Sequence, residues 1–326
     1  MKTRRLGRHG PVVGEVGLGC WQFGGAFGPM TEATAVEVMR SAVDSGVDFF
    51  DTADVYGGGC SEEWIGKFLP SCDRRVFVAT KYGRAGSTFP DGYSEAGMRS
   101  AIEASRARLG VEALDLLQLH CIPGRLLQQG EVFDWLRRAQ RDGLIRHFGA
   151  SVESVEEGLL CLEQEGLLSL QIIFNIFRQK PAEELLPRAQ ERGVGIIVRL
   201  PLASGLLAGK FGPETVFPES DHRHFNRDGK HFNVGETFAG LPFAKGVELA
   251  GKIRSRLPDG LGMAQASMRW ILDHEAVSVV IPGASSSAQA QENTTASALS
   301  PLPEALHREL ADFDRAEVRE YIRGPY

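Results

Sequence analysis

Short hydrophobic runs alternate with amphipathic stretches along most of the chain. The runs are nearly continuous in apolar residues, which is typical of strands that are buried on both faces of a parallel sheet. The stretches between them carry apolar residues at helical spacing, as in the segment from Thr31 to Ser45, which Gly46 ends. This alternation predicts eight strands joined by helices, at residues 16–19, 47–51, 76–81, 114–120, 145–151, 168–175, 194–198 and 277–281.

Eight strands of this kind close a barrel, so the predicted fold class is α/β, an (α/β)8 TIM barrel. An open doubly wound sheet is the alternative, but Gly17-Leu18-Gly19 lacks the third glycine of the fingerprint that such sheets usually carry. Residues 1–15 predict an N-terminal β-hairpin at the bottom of the barrel. Residues 203–240 predict a long, lid-like loop after the seventh strand. The chain, 1–326, is then expected to form one barrel domain.

Composition and charge exclude several classes of protein. The chain has 326 residues, 43% of them apolar, which suits one barrel with insertions. Its net charge is −6, and no basic cluster could follow a phosphate backbone, so nucleic acid is not an expected partner. No run reaches the roughly 20 apolar residues of a membrane span. No apolar stretch of signal-peptide length follows the basic start, and we expect a cytoplasmic protein.

Metal sites and disulfides are not expected either. The five cysteines are scattered singly, without a Cys-x-x-Cys pair. Residues 221–224, Asp-His-Arg-His, resemble a metal cluster, but they lie in the long loop, where ion pairing or contacts to a cofactor are the favoured interpretation. Cys121 is interpreted as a packing residue. Asn293 begins a glycosylation pattern that has no secretory signal to support it.

Polar residues of different chemistry follow the predicted strands in the first half of the chain. Asp51, Lys81, His120 and Asn175 each end a hydrophobic run, and Tyr56 follows Asp51. The carboxyl ends of barrel strands share one face, where distant side chains meet. There, an ammonium lowers the pKa of a phenol from about 10, a carboxylate keeps that ammonium charged, and a histidine donates to a carbonyl oxygen. No nucleophile or electron source is present, so a cofactor must supply the chemistry.

Residues 49–57, Phe-Phe-Asp-Thr-Ala-Asp-Val-Tyr-Gly, closely resemble the signature of the aldo-keto reductase family. Further blocks match that family in order: Gly17 to Trp21, Ala79-Thr80-Lys81, Gln118-Leu119-His120, Pro201 to Leu207 and Ile281-Pro282-Gly283. The resemblance implies an (α/β)8 barrel that reversibly reduces aldehydes or ketones with NAD(P)H. It also implies a catalytic tetrad of Asp51, Tyr56, Lys81 and His120, with the tyrosine as proton donor.

The resemblance further implies where the cofactor binds. Ser151 and Gln171 match residues that hold the nicotinamide carboxamide, whereas Val152 stands where the family often has Asn. Arg199 occupies the position of an aromatic residue that stacks on the nicotinamide, and residues 202–207 match a pyrophosphate loop. The full set of implied contacts is Gly19, Cys20, Trp21, Ser151, Gln171, Arg199, Pro201, Leu202, Ser204, Gly205, Leu207, Lys210, Ile281, Gly283, Ser285, Gln289 and Asn293.

The choice between the two nicotinamide cofactors is less constrained. Many relatives place Arg or Lys where residues 283–289 lie, to pair with the 2′-phosphate of NADP, and this segment has neither. Serine hydroxyls at a helix N-terminus can also bind phosphate. The resemblance favours NADP(H), with NAD(H) as the alternative.

The leading hypothesis is an oxidoreductase that acts on a small carbonyl compound, with Trp21 as a wall of the substrate pocket. A regulatory subunit that binds the cofactor without turnover is the alternative from another class. A metal- or phosphate-dependent lyase on the same fold would need ligands at strand ends that the sequence does not show. Fold alone does not decide among these functions. The sequence predicts no oligomeric state.

Overall fold

The computed structural model describes residues 1–326 and contains an eight-stranded parallel sheet in which each strand pairs with the next along the chain. Together with a two-stranded hairpin, there are ten strands: β1 Thr3–Arg5, β2 Val12–Gly14, β3 Leu18–Gly19, β4 Phe49–Asp51, β5 Phe77–Tyr82, β6 Leu114–His120, β7 Ile145–Ser151, β8 Leu167–Ile173, β9 Gly195–Arg199 and β10 Val277–Val280. The first and last strands of the large sheet also meet. The N–H of Gly17 donates to the carbonyl of Val280 at 2.8 Å, so the sheet closes. The predicted α/β barrel is confirmed.

Twelve α-helices accompany the strands: α1 Glu32–Asp44, α2 Cys60–Phe68, α3 Glu95–Leu109, α4 Gly124–Gln129, α5 Glu131–Arg141, α6 Val155–Leu162, α7 Leu185–Arg192, α8 His222–Phe225, α9 Phe243–Arg254, α10 Met263–Leu272, α11 Ser287–Thr294 and α12 Glu304–Phe313. Local chemistry fixes their ends. The Ser94 hydroxyl accepts from the N–H of Gly97 before α3, and Gly110 ends that helix with φ +66°. None of the helices is both long and apolar enough to cross a membrane.

The barrel is stabilised by two separate hydrophobic clusters. The larger contains 71 buried residues from the strands and the helices packed on them. The smaller contains ten, among them Phe49, Phe77 and Ile197 from three strands and Leu6 and Val13 from the hairpin. Because the hairpin contributes side chains to the smaller cluster, it covers the bottom of the barrel, as the sequence predicts.

Charged side chains are joined in a network at the bottom of the barrel. The carboxylate of Glu15, which is 1% exposed, accepts from Arg4 Nε at 2.8 Å and from the Ser297 hydroxyl at 2.9 Å. Asp273 accepts from Arg269 Nε at 2.9 Å and from His307 Nε2 at 3.0 Å. Each oxygen of these two carboxylates therefore has a partner, as buried charges require.

The long loop is more ordered than the sequence predicts. Residues 203–240 contain helix α8 and 3₁₀ turns at Ala203–Ala208, Val234–Glu236 and Phe238–Gly240. Short polar side chains hold these turns: Asn226 Oδ1 accepts from the N–H groups of residues 231 and 232, and Asp221 Oδ1 accepts from the N–H of residue 223. Bonds of this kind leave no hydrophobic periodicity in the sequence.

Candidate active site

A cavity of about 750 Å³ opens at the carboxyl ends of the barrel strands. Gly19, Asp51, His120, Ser151 and Arg199, each at the end of a strand, all line it. A volume of this size lies in the range of cofactor and ligand pockets. The cavity is therefore the candidate active site.

Asp51, Lys81 and Tyr56 form a connected group at the inner end of the cavity. Lys81 Nζ donates to Asp51 Oδ1 at 2.5 Å and to the carbonyl of Thr52 at 2.8 Å, and it lies 3.3 Å from the Tyr56 hydroxyl. The lysine is 1% exposed and does not line the cavity itself. It acts on the cavity only through the tyrosine and the aspartate in front of it.

Two glutamines complete the hydrogen bonding of Asp51. Gln118 Nε2 and Gln171 Nε2 donate to Asp51 Oδ2 at 3.0 and 2.7 Å. The Ser151 hydroxyl donates to Gln171 Oε1 at 3.4 Å. Both Oδ atoms of the aspartate are thus occupied, and its side chain is held in one orientation. Gln118 is a member of this group that the sequence did not single out.

Burial and neighbouring charges both shift the pKa values of Lys81 and Tyr56. Burial alone would lower the pKa of the Lys81 amine, but Asp51 and Tyr56 outweigh it and raise that pKa, so the lysine stays charged. Burial raises the pKa of Tyr56 to about 12, although the Lys81 ammonium acts in the other direction. The expectation of a phenol with a lowered pKa is therefore wrong for this structure, because the cost of burying a phenolate exceeds the effect of the lysine.

His120 is neutral in this site. Burial, together with the positive charges of Lys81, Arg84 and Arg199, holds the pKa of its imidazole well below the usual value. Its ring centroid lies 5.9 Å from that of Tyr56, at an interplanar angle of 81°. Its Nδ1 is buried and has no hydrogen-bond partner in the protein.

Arg199 is held in place by several acceptors. Its Nη1 donates to Glu236 Oε1 at 3.2 Å, and its Nη2 donates to the carbonyl of Val152 at 3.3 Å and lies 3.6 Å from Cys121 Sγ. Burial would lower the pKa of the guanidinium, but Cys121 and Glu236 help to raise it. The side chain is therefore a fixed cation in the cavity wall.

The loop after β9 has an unusual backbone. Leu200, Ala203 and Ser204 have φ between +48° and +55°, a region that residues with side chains rarely adopt. The N–H groups of Gly205 and Leu207 donate to the carbonyl of Leu202 at 2.8 and 3.1 Å. These two N–H groups are already satisfied within the loop, which leaves fewer of them for a pyrophosphate than the sequence suggests.

The far end of the cavity is polar. The N–H of Ser285 donates to Gln289 Oε1 at 2.7 Å, and Asn293 Nδ2 donates to the carbonyl of Gly283 at 3.2 Å. Gln265 Nε2 donates to Glu292 Oε1 at 2.9 Å in the same part of the wall. The last of these contacts joins helices α10 and α11 at the rim.

Most of the residues singled out in the sequence line this one cavity. Cys20 and Leu207 do not, because both side chains are fully buried in the core. Asn175 also lies outside: its Nδ2 donates to the carbonyl of Leu200 and supports the loop after β9. The predicted residues that line the cavity are Gly19, Trp21, Asp51, Tyr56, His120, Ser151, Gln171, Arg199, Pro201, Leu202, Ser204, Gly205, Lys210, Ile281, Gly283, Ser285, Gln289 and Asn293.

Several polar residues of the wall were missed in the sequence. They are Gln22, Arg84, His231, Glu236, Gln265 and Glu292. Only Arg84 carried a usable signal, because it follows Lys81 by three residues at a strand end. The others lie on loops and helices, whose approach to the cavity depends on the folded chain.

The lid-like loop contacts the opposite rim through residues 221–223. Arg223 donates twice to Asp221, at 2.9 and 2.6 Å, which is the ion pairing favoured from the sequence. His222 is fully buried, with Nδ1 3.0 Å from the carbonyl of Ala26. Its ring centroid lies 4.7 Å from that of Trp21. Burial lowers the pKa of His222 to about 4.

Comparisons with known proteins agree with this geometry. The model of the Aldo/keto reductase family matches residues 15–315. The chain belongs to this family. It is 29% identical over 332 residues to a probable aldo-keto reductase 1 of Glycine max, covering 99% of this chain and 91% of that protein. It is 27% identical over 333 residues to the aldo-keto reductase yakc of Schizosaccharomyces pombe, whose name includes NADP(+), with coverages of 98% and 90%.

This aldo/keto reductase has the same architecture as a relative whose structure has been solved. The glycerol dehydrogenase AKR11B4 from Gluconobacter oxydans superposes with a TM-score of 0.79 at 27% sequence identity, covering 99% of this chain and 98% of the other. The aldo/keto reductase described here is therefore an oxidoreductase on an (α/β)8 barrel.

Proposed function

We propose that this aldo/keto reductase reversibly reduces an aldehyde or ketone with a nicotinamide dinucleotide, and that Tyr56 is the proton donor. The observation that carries the proposal is the placement of the Tyr56 hydroxyl, 3.3 Å from a buried, charged Lys81 and in the wall of the cavity. When bound, the dinucleotide supplies the hydride for the carbonyl carbon, and the oxygen then needs one proton.

The residues of the cavity fit such a cofactor. Ser151 and Gln171 offer hydroxyl and amide groups beside Tyr56 for the carboxamide of a nicotinamide. Lys210 offers a cation for a phosphate, and the polar far wall around Ser285 and Asn293 suits a nucleoside. The segment 203–240 would act as the lid, and residues 1–326 as one barrel domain. Cys20 and Leu207 serve in this proposal as packing residues behind the cofactor.

In this proposal Tyr56 stays protonated until the carbonyl oxygen of the substrate gains negative charge. With a pKa of about 12, the phenol is fully protonated at neutral pH. As the proton leaves, the Lys81 ammonium at 3.3 Å stabilises the phenolate, and Asp51 keeps the ammonium in place. Stabilisation that is realised only as charge develops lowers the barrier more than it strengthens substrate binding.

His120 positions the carbonyl in this proposal. A neutral imidazole carries one N–H, and a ring that stays neutral can donate to a carbonyl oxygen without competing with Tyr56 for the proton. Its low pKa keeps this donor unchanged across the physiological range. Trp21, whose ring centroid lies 6.3 Å from that of Tyr56, forms the adjoining wall for the carbon skeleton.

NADP(H) is the cofactor we propose, with NAD(H) as the alternative. The S. pombe relative has NADP(+) in its name. Lys210 supplies a cation in the cavity wall, although residues 283–289 carry none. Fluorescence titration with NADPH and NADH decides between them, and tighter binding of NADH would overturn this choice without affecting the proposed reaction.

Replacing Tyr56 tests the reaction itself. In Tyr56→Phe the ring and its packing remain, so NADPH should bind as in the wild type, while kcat for a panel of aldehydes should fall by about 10³. Tyr321→Phe, in which the hydroxyl lies outside the cavity, is the control. A Tyr56→Phe protein that turns over as fast as the wild type removes the tyrosine from the mechanism. Tight cofactor binding without turnover of any carbonyl would favour a regulatory role.

A further inference from the structure

Arg84 is a fixed cation at the end of the cavity that holds Tyr56 and His120. Its Nε donates to the backbone carbonyl of His120 at 3.2 Å, and its Nη2 donates to Glu153 Oε1 at 2.6 Å. Its Cζ lies 5.1 Å from the ring centroid of Phe89. The remaining nitrogen, Nη1, has no hydrogen-bond partner in the protein and is not buried. One side of the guanidinium is therefore available to a ligand.

The backbone conformation at Gly83 determines where the Arg84 side chain lies. Gly83 has φ +131°, and a Cβ at that position would lie 2.6 Å from Ile122 Cγ2, so no side chain fits there. The Tyr93 hydroxyl donates to the carbonyl of Gly83 at 2.7 Å and fixes the turn. The close approach of this turn to the end of β6 brings the arginine next to His120.

Glu153 orients the guanidinium more than it neutralises it. Burial raises the pKa of the Glu153 carboxyl, and the nearby charge of Glu236 raises it further. The side chain of Arg84 is 18% exposed, so its charge is only partly screened by water. A guanidinium in this situation is a strong partner for a carboxylate or phosphate oxygen.

Aromatic side chains line the cavity that Arg84 also lines. Phe89 is 40% exposed and lines the cavity, as do Trp21 and Phe232. Exposed aromatic rings in a cavity wall offer surface to a planar or apolar carbon skeleton. The cavity thus combines an apolar surface with one free cationic donor.

We propose that Arg84 recognises an anionic group, a carboxylate or a phosphate, on the carbonyl substrate. This inference rests on the proposed function of the same cavity and names its substrate class: aldehydes and ketones that carry a negative charge away from the carbonyl. The free Nη1 donates to the anionic oxygen while His120 and Tyr56 contact the carbonyl. A charge-assisted hydrogen bond of this kind is worth at least about tenfold in kcat/KM.

Three aldehydes with one scaffold test the proposal: 4-carboxybenzaldehyde, 4-formylphenyl phosphate and 4-methylbenzaldehyde. The wild type should prefer at least one anionic aldehyde over the methyl compound by about tenfold or more in kcat/KM, and the two anionic compounds distinguish carboxylate from phosphate. In Arg84→Gln this preference should disappear, so that the ratio of kcat/KM for the anionic aldehydes to that for 4-methylbenzaldehyde falls to about one. Arg84→Lys should keep part of the preference, because the charge remains without the planar fork.

Two further variants sharpen the test. Arg125→Gln is the control, since Arg125 is a half-exposed arginine that bonds to the carbonyl of Pro90 and does not line the cavity. Glu153→Gln removes the carboxylate beside Arg84 and should increase the preference for the anionic aldehydes. No preference in the wild type, or a preference that Arg84→Gln leaves unchanged, overturns the proposal.

The experiment distinguishes a failure of the proposed substrate class from a failure of the proposed function. Turnover of 4-methylbenzaldehyde reports on carbonyl reduction alone. If no aldehyde is turned over, the proposed function fails, and calorimetric binding of benzoate by the wild type and by Arg84→Gln still decides whether Arg84 binds an anion. Equal benzoate affinity for both proteins would count against it.

Discussion

The two ends of the barrel treat buried charge differently. At the bottom, both oxygens of Glu15 and of Asp273 accept hydrogen bonds from arginine, histidine, serine or backbone donors. At the top, Asp51 and Lys81 are paired, but His120 Nδ1 and Arg199 Nε are buried without partners. Residues with positive φ other than glycine also occur around the top, as at Leu200 and Ser204.

This comparison indicates that the bottom of the barrel mainly serves stability, whereas the top mainly serves function. At the bottom, the paired carboxylates of Glu15 and Asp273 hold the chain together, although Arg269 Nη1 is buried there without a hydrogen bond, 3.8 Å from Glu15 Oε1. At the top, unpartnered donors and a strained backbone cost free energy that the rest of the barrel must offset. In barrel enzymes generally, the carboxyl ends of the strands carry the active site. We therefore expect substitutions at the bottom to change the unfolding free energy and substitutions at the top to change catalysis or cofactor binding.

Lys81→Met should have the largest effect, because it should lower both the unfolding free energy and kcat. It leaves Asp51 buried without its cation, which should cost about 3 kcal/mol of unfolding free energy. It also removes the charge that stabilises the Tyr56 phenolate, so kcat should fall by about 10³. Urea denaturation and steady-state kinetics measure the two effects. A stable Lys81→Met protein with wild-type kcat would show that the pair matters to neither property.

Glu15→Gln, at the bottom of the barrel, should lower stability without changing catalysis. The change leaves the Arg4 and Arg269 guanidinium groups without their shared carboxylate and should lower the unfolding free energy by about 3 kcal/mol, while kcat/KM stays unchanged below the melting temperature. The control is Glu163→Gln, which breaks an exposed pair with Arg192 and should cost less than about 1 kcal/mol. A large fall in kcat/KM for Glu15→Gln would contradict the separation of the two ends.

His222 should make the top sensitive to acid. Its folded-state pKa of about 4 lies below the ordinary 6.5, so the unfolded chain takes up the proton first as the pH falls. The stabilisation is complete above about pH 6.5 and is lost as the pH falls toward 4, by roughly 3 kcal/mol in total. His222→Phe keeps an aromatic ring beside Trp21 but cannot titrate. Its unfolding free energy should change less between pH 6.5 and 4.5, as followed by urea denaturation, and an equal slope for both proteins would exclude His222 as the cause.

Gln289→Arg should have the smallest effect. It places a cation on the first turns of α11, at the polar far wall of the cavity, and should tighten NADPH binding by about tenfold relative to NADH. Fluorescence titration measures both affinities, and Gln291→Arg on the same helix, outside the cavity wall, is the control. An equal gain for both cofactors would show that the adenosine end lies elsewhere.

The strands and the inner site were predictable from the sequence, whereas the rim was not. Asp51, Lys81 and His120 end buried strands, and strand ends are placed by the barrel itself. Glu236 and His231 reach the cavity through a loop held by side-chain to backbone bonds, which leave no periodic pattern.

The raised pKa of Tyr56 was not predictable for a different reason. Sequence places Lys81 near the phenol, and the sign of that interaction was right. The size of the opposing burial depends on how tightly the cavity wall closes around the ring, which is a property of the whole fold.

Closure of the sheet between Gly17 and Val280 has a consequence for biosynthesis. These partners are separated by most of the polypeptide, so a nascent chain on the ribosome has two open sheet edges until its last strand emerges. Chains released early by a nonsense codon would keep both edges, and we expect them to aggregate or be degraded rather than accumulate as smaller stable proteins.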